Sequence, residues 1–154
     1  MMSLPSEVIS RLSGKTLVTA ESLTGGGIGT SLTAVPGASL IYKGGIISYV
    51  NEVKTDVLGV PQEILDRYGA VSPWTAGYMA SGVRKLLKGD IAVSVTGLAG
   101  PGGDEFGHPV GTVFIGYESN SAALVKEFHI QGTRDEVRNQ TIEAALKLIL
   151  EQNP

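Results

Sequence analysis

Three stretches of this chain carry reactive side chains or glycine-rich turns. In AESLTGGGIG, Ala20 to Gly29, Ser22 ends an apolar run and stands just ahead of three consecutive glycines. A serine on a tight strand-to-helix turn is a nucleophile whose glycine neighbours let a substrate oxyanion reach backbone N–H groups. The same residue type also caps helices, which is its commoner use, and Thr24 competes for that role. The G-x-S-x-G spacing of a nucleophile elbow is absent, so the stretch alone favours the capping use.

The second stretch, YVNEVK, holds Tyr49, Asn51 and Lys54. With Asn51 as the N-cap of a helix, Lys54 falls on its third position, where a capping box puts glutamate and the positive helix end repels a cation. The same field, with partial burial, lowers the lysine pKa towards that of a usable base. The alternative is a solvated lysine paired with Glu52 or Asp56. Tyr49 is either edge packing or a hydroxyl that donates to the serine or relays its proton.

The third stretch, Thr96 to Gly103 (TGLAGPGG), offers many backbone N–H groups to a phosphate or oxyanion. It lacks the GK[ST] ending of a P-loop and leads to a strand, which excludes a nucleoside-triphosphate site of that kind. Arg134, beside the Thr133 cap of the last helix, is a candidate anion contact on a weak signal.

These segments need a sheet to bring them together. Val8, Ile9 and Leu12 recur at helical spacing over residues 4–12, and residues 16–20 read as a buried strand followed by a helix over 28–34. Residues 40–50 read as one bent or two short strands around Gly44-Gly45. Helices are expected from Asn51 to Leu58, from Pro61 to Arg67, and from the Ser72-Pro73 cap to about Lys88. Residues 90–96 (DIAVSVT) form the clearest buried strand, and 110–118 with 122–130 read as an antiparallel pair. A capping box at Thr133 to Glu136 opens the last helix. This order predicts a three-layer α/β/α domain around a mixed sheet, with residues 1–154 as a single unit. All three reactive stretches then lie at strand ends, where open α/β sheets bind ligands.

Composition narrows the function. With 42% hydrophobic and 18% charged residues, the 154-residue chain has material for a sizeable core. A net charge of −3 gives no basic surface for a nucleic-acid backbone. No cysteine is present, and His108 and His129 lie far apart outside any ligand cluster, so neither a metal nor another cofactor is expected. The N-terminal residues lack a signal-peptide pattern and no stretch is apolar enough to span a bilayer, which predicts a cytoplasmic protein without a membrane partner.

The stretches TLVTAESLTGG, TAVPGAS, YKGGIISYVNEVKTDVLGV, YGAVS, DIAVSVTGLAGPGG, HPVGTVFIG and GTRDEVR, in this order, resemble the CinA C-terminal domain family, which includes nicotinamide mononucleotide deamidase. The resemblance implies a three-layer α/β/α fold and a frequent homo-oligomer. It also implies hydrolysis of the carboxamide of nicotinamide mononucleotide to nicotinic acid mononucleotide and ammonia. It makes Ser22, Tyr49 and Lys54 the catalytic set, with Lys54 as the base. Around them Glu21, Thr24, Gly25, Gly26, Asn51, Thr96, Gly97, Ala99, Gly100 and Arg134 are the candidate contacts to a small nucleotide substrate. Among them Gly25, Gly26 or Gly97 is expected to supply the oxyanion N–H, and the glycine-rich loop or Arg134 the phosphate contact. Longer members carry a further N-terminal domain associated with ADP-ribose pyrophosphatase activity, which 154 residues are not expected to hold. Two positions depart from the family pattern. Val50 replaces a small polar residue, and His108 stands where lysine is usual. They keep two rivals in view: a nucleotide-binding regulatory module without turnover, and a hydrolase in which His108 is the base for Ser22.

Overall fold

A β-branched, apolar run of five residues is stable as a central strand when both sheet faces are covered, and Leu17–Glu21 (β1) is buried along its whole length. In the computed structural model, which describes residues 1–154, β1 lies between Tyr42–Ile47 (β2) and Ile91–Gly97 (β3), parallel to both. Thr112–Glu118 (β4) runs antiparallel to β3, and Ala123–His129 (β5) antiparallel to β4. The sheet order is β2-β1-β3-β4-β5.

Helices cover both faces. Leu4–Arg11 (α1), Gly27–Thr33 (α2) and Arg134–Gln152 (α6) pack on one side through Val8, Leu12, Ile28, Leu32, Val137 and Ile149. The other side carries the short helices Asn51–Asp56 (α3) and Gln62–Tyr68 (α4) and the long Pro73–Leu87 (α5), packed through Leu58, Val60, Leu65, Met79 and Val83. The expected three-layer α/β/α sandwich is present. A Cβ on Gly82 would run into the Leu58 carbonyl, so only glycine lets α5 pass that close beneath the chain leaving α3.

Within residues 40–50, Tyr42–Ile47 form one strand, with a register shift opposite Leu17 and Val18 that skips Lys43. The shift turns Tyr42 towards α2 and Ile46 towards the other layer. The Gly44-Gly45 signal therefore marks an irregularity within β2 and divides no pair of strands. The capping box is observed: the Thr133 hydroxyl accepts from Glu136 N–H, and the Glu136 carboxyl accepts from Thr133 N–H. At α3 the cap lies one residue earlier than expected. Val50 is the N-cap, without a side-chain hydrogen bond, and Asn51 is the first helical residue.

Connectivity makes the crevice. The chain leaves β1 for α2 on one face and leaves the adjacent β2 for α3 on the other. The carboxyl ends of these neighbours part, as at a topological switch point.

Candidate active site

Ser22 and Lys54 meet in that crevice. Ser22 follows β1, and its N–H continues the sheet by donating to Val95 O at 3.0 Å. Helix α3 carries Lys54 back across the ends of β1 and β2, where the residue is 1% exposed. Its Nζ lies 3.0 Å from Ser22 Oγ, 2.6 Å from Ser48 O and 3.1 Å from Tyr49 O. Burial pushes the Lys54 pKa from 10.5 down to about 8.

The three neighbours have a chemical consequence. A neutral amine has two N–H donors and one lone pair, and carbonyl oxygens only accept. The Ser48 and Tyr49 carbonyls take the two N–H groups, which turns the lone pair to the Ser22 hydroxyl. Lys54 occupies the fourth helical position of α3 because the cap is Val50, so its lowered pKa rests on desolvation by the enclosing chain.

Ser22 caps no helix. The N-cap of α2 is Gly26, at φ +97°, and Glu21 serves the helix end from below. Its carboxyl oxygens accept from Ile28 N–H at 2.8 Å, Gly29 N–H at 3.1 Å and the Thr24 hydroxyl at 2.6 Å. Glu21 and Thr24 are buried in this interaction and lie off the cleft wall, contrary to their expected place among the substrate contacts. Gly25, Gly26 and Asn51 also lie outside the cleft lining.

The cleft has a volume of about 450 Å³ and brings together Ser22, Tyr49, Lys54, Thr96, Gly97, Ala99, Gly100 and Arg134. The Tyr49 hydroxyl accepts a 3.0 Å hydrogen bond from Arg134, which also donates to Gly100 O at 2.6 Å. Tyr49 is thus held by Arg134, and the expected hydrogen bond from its hydroxyl to Ser22 is not formed. The Thr96 hydroxyl donates to Ala70 O at 2.7 Å, anchoring the loop above α5 to β3.

Residues with free N–H groups line this space. The N–H of Leu23, which follows Ser22 and lines the cleft, has no acceptor within the chain, nor do those of Ala99 and Gly100. Leu98 N–H donates to Thr112 O, and alternation along an antiparallel pair then turns Gly97 N–H away from β4, towards the end of β1. Gly25 N–H is already committed to Ser22 O at 3.1 Å. The sequence reading missed Leu23, although its place after the serine was a usable signal.

His108 is not positioned to serve as the base for Ser22. Its Nδ1 lies 2.7 Å from the Asp104 carboxyl, and the residue is not part of the cleft lining. His129 pairs with Glu127 on exposed β5. No group of three or more His, Cys, Asp or Glu side chains clusters as a metal site would require. No helix is long and apolar enough to cross a membrane.

A profile of the CinA C-terminal domain matches residues 2–153. A CinA-like protein of Thermosynechococcus vestitus is 48% identical over 141 residues, which is 90% of this chain and 34% of that protein. The chain spans about a third of the length of the curated relatives it matches. Among solved structures, the competence/damage inducible protein CihA of Agrobacterium tumefaciens superposes with a TM-score of 0.94 at 37% identity, covering 98% of this chain and 94% of that one. A competence-damaged protein (CinA) superfamily protein of Escherichia coli gives 0.95 at 32% identity, covering 97% and 88%.

Proposed function

Because the chain belongs to the CinA C-terminal domain family, we propose that it is a serine amidohydrolase that cleaves the carboxamide of nicotinamide mononucleotide to nicotinic acid mononucleotide and ammonia. The observation that carries this reading is the buried Lys54 amine, held by two carbonyls with its remaining position on Ser22 Oγ. The nucleotide itself comes from the family resemblance. A cleft of about 450 Å³ has the size of a small-ligand site.

Neutral Lys54 takes the Ser22 proton as Oγ attacks the carboxamide carbon. The carbonyl oxygen becomes an oxyanion within reach of the Leu23 and Gly97 N–H groups. Lys54 then returns its proton to the amide nitrogen, and the C–N bond breaks to release ammonia, leaving an ester on Ser22. Water, deprotonated by Lys54, attacks the ester carbon, and Lys54 returns that proton to Ser22 Oγ as the C–O bond breaks, freeing the acid product, which ionises to the carboxylate. Arg134, on the first turn of α6, supplies positive charge for the phosphate, and Tyr49 walls the mouth.

The family departures lie away from this chemistry. Val50 is an exposed helix cap and His108 pairs with Asp104, and neither lines the cleft. That favours turnover over a silent binding module. The deciding experiment is ammonia release from nicotinamide mononucleotide by the purified protein, followed with an enzyme-coupled assay. Absence of release by wild-type protein at saturating nucleotide removes the activity.

A further inference from the structure

Helix α6 lines the cleft at Arg134 and backs its wall at Arg138. Arg134 and Arg138 are four residues apart and share a helix face. Arg134 reaches Gly100 O and Tyr49, while Arg138 reaches the other wall. Its Nε donates to Leu23 O at 2.9 Å and its Nη2 to Thr24 O at 3.5 Å. Only the exposed Asp135 faces it as a counter-charge, at 3.8 Å.

Those carbonyls belong to the turn that presents Ser22. In a trans peptide the C=O and N–H point in opposite directions, so fixing one aims the other. Gly25 N–H holds Ser22 O and thereby aims the Leu23 N–H, which has no acceptor. Arg138 holds the next peptide through Leu23 O, so both peptide planes flanking Leu23 are fixed. We propose that Arg138 is a positioning residue for the oxyanion donor: it locks the turn so that Leu23 N–H meets the oxygen developing on the tetrahedral carbon. Arg138 does not itself line the cleft. The inference rests on Ser22 being the nucleophile, as proposed above.

The test combines steady-state ammonia release with phosphonylation of Ser22 by a fluorophosphonate. In that reaction Ser22 Oγ bonds to phosphorus, the P–F bond breaks with loss of fluoride, Lys54 takes the hydroxyl proton, and the phosphoryl oxygen occupies the oxyanion position. Arg138→Ala is expected to lower kcat about 10- to 100-fold with KM within twofold, below the effect of deleting an oxyanion donor outright. Phosphonylation should slow by a similar factor, and Arg138→Lys, which keeps one donor, should recover part of both rates. Where Arg138→Ala does not fold, Arg138→Gln replaces it.

Wild-type phosphonylation rates in the variants overturn the inference, as does a fall in melting temperature with kcat unchanged. A wild-type protein that is phosphonylated at Ser22 but releases no ammonia refutes the substrate reading, and the phosphonylation rates then decide on Arg138. A wild-type protein inert in both assays removes the nucleophile and this inference with it.

Discussion

Replacing Lys54 by methionine keeps an unbranched side chain one atom shorter and deletes its charge, which makes stability against pH a direct reading of the buried amine. Burial lowers the Lys54 pKa from 10.5 to about 8, so at about 1.4 kcal/mol per pH unit the charged form costs the fold about 3.5 kcal/mol. Because the folded pKa lies below the unfolded one, the unfolded chain binds the extra proton between about pH 8 and 10.5. Stability therefore rises with pH through that window. Between pH 7 and pH 10 the wild type should gain about 2.5 kcal/mol relative to Lys54→Met. The hydrogen bonds to Ser48 O and Tyr49 O that methionine loses add an offset, and taking the pH difference removes most of it. Other titrating groups are shared by both proteins and cancel to the same extent. Urea unfolding of both proteins at the two pH values measures the effect. A relative change under about 0.5 kcal/mol, or one in favour of the variant, would show that the amine is solvated and the argument for a neutral base fails.

Further outcomes are expected. Ser22→Ala should lose turnover by several orders of magnitude while nucleotide affinity, measured by calorimetry, stays close to wild type. Below pH 8 the wild-type kcat/KM should fall about tenfold per pH unit as Lys54 takes up its proton, and Lys54→Arg, which stays charged, should be nearly inactive at every pH. Glu21→Ala orphans the Ile28 and Gly29 N–H groups and the Thr24 hydroxyl, so unfolding free energy should drop by about 3 kcal/mol. Val50→Ser gives α3 the capping oxygen it lacks and should add about 1 kcal/mol in the same assay without changing kcat.

The parts of this molecule legible from sequence are those set by local chemistry. The β-branched run at 90–96, the Ser72-Pro73 cap and the Thr133–Glu136 capping box each act within a few residues, and each element formed within a residue or two of its expected bounds. The Ser22–Lys54 pairing was anticipated from the resemblance and a broken capping rule. That rule was misapplied at Asn51, because the backbone turns at Val50, a residue with no capping oxygen. Glu21 escaped notice as a support because its two backbone partners are seven and eight residues ahead, and only the turn of the chain folds them back. Arg138 and Leu23 are 115 residues apart and meet through packing of α6 on the sheet, for which no local pattern stands.

The two groups that orient Lys54 are main-chain oxygens, and this shapes how the protein evolves. Any residue at position 48 or 49 that leaves the end of β2 in place presents the same carbonyls, so mutation there does not remove the holder of the base. Tyr49, at the mouth, is open to selection for a different substrate while the amine keeps its direction. The reactive centre and the cleft wall can thus vary separately, although Tyr49 takes part in both.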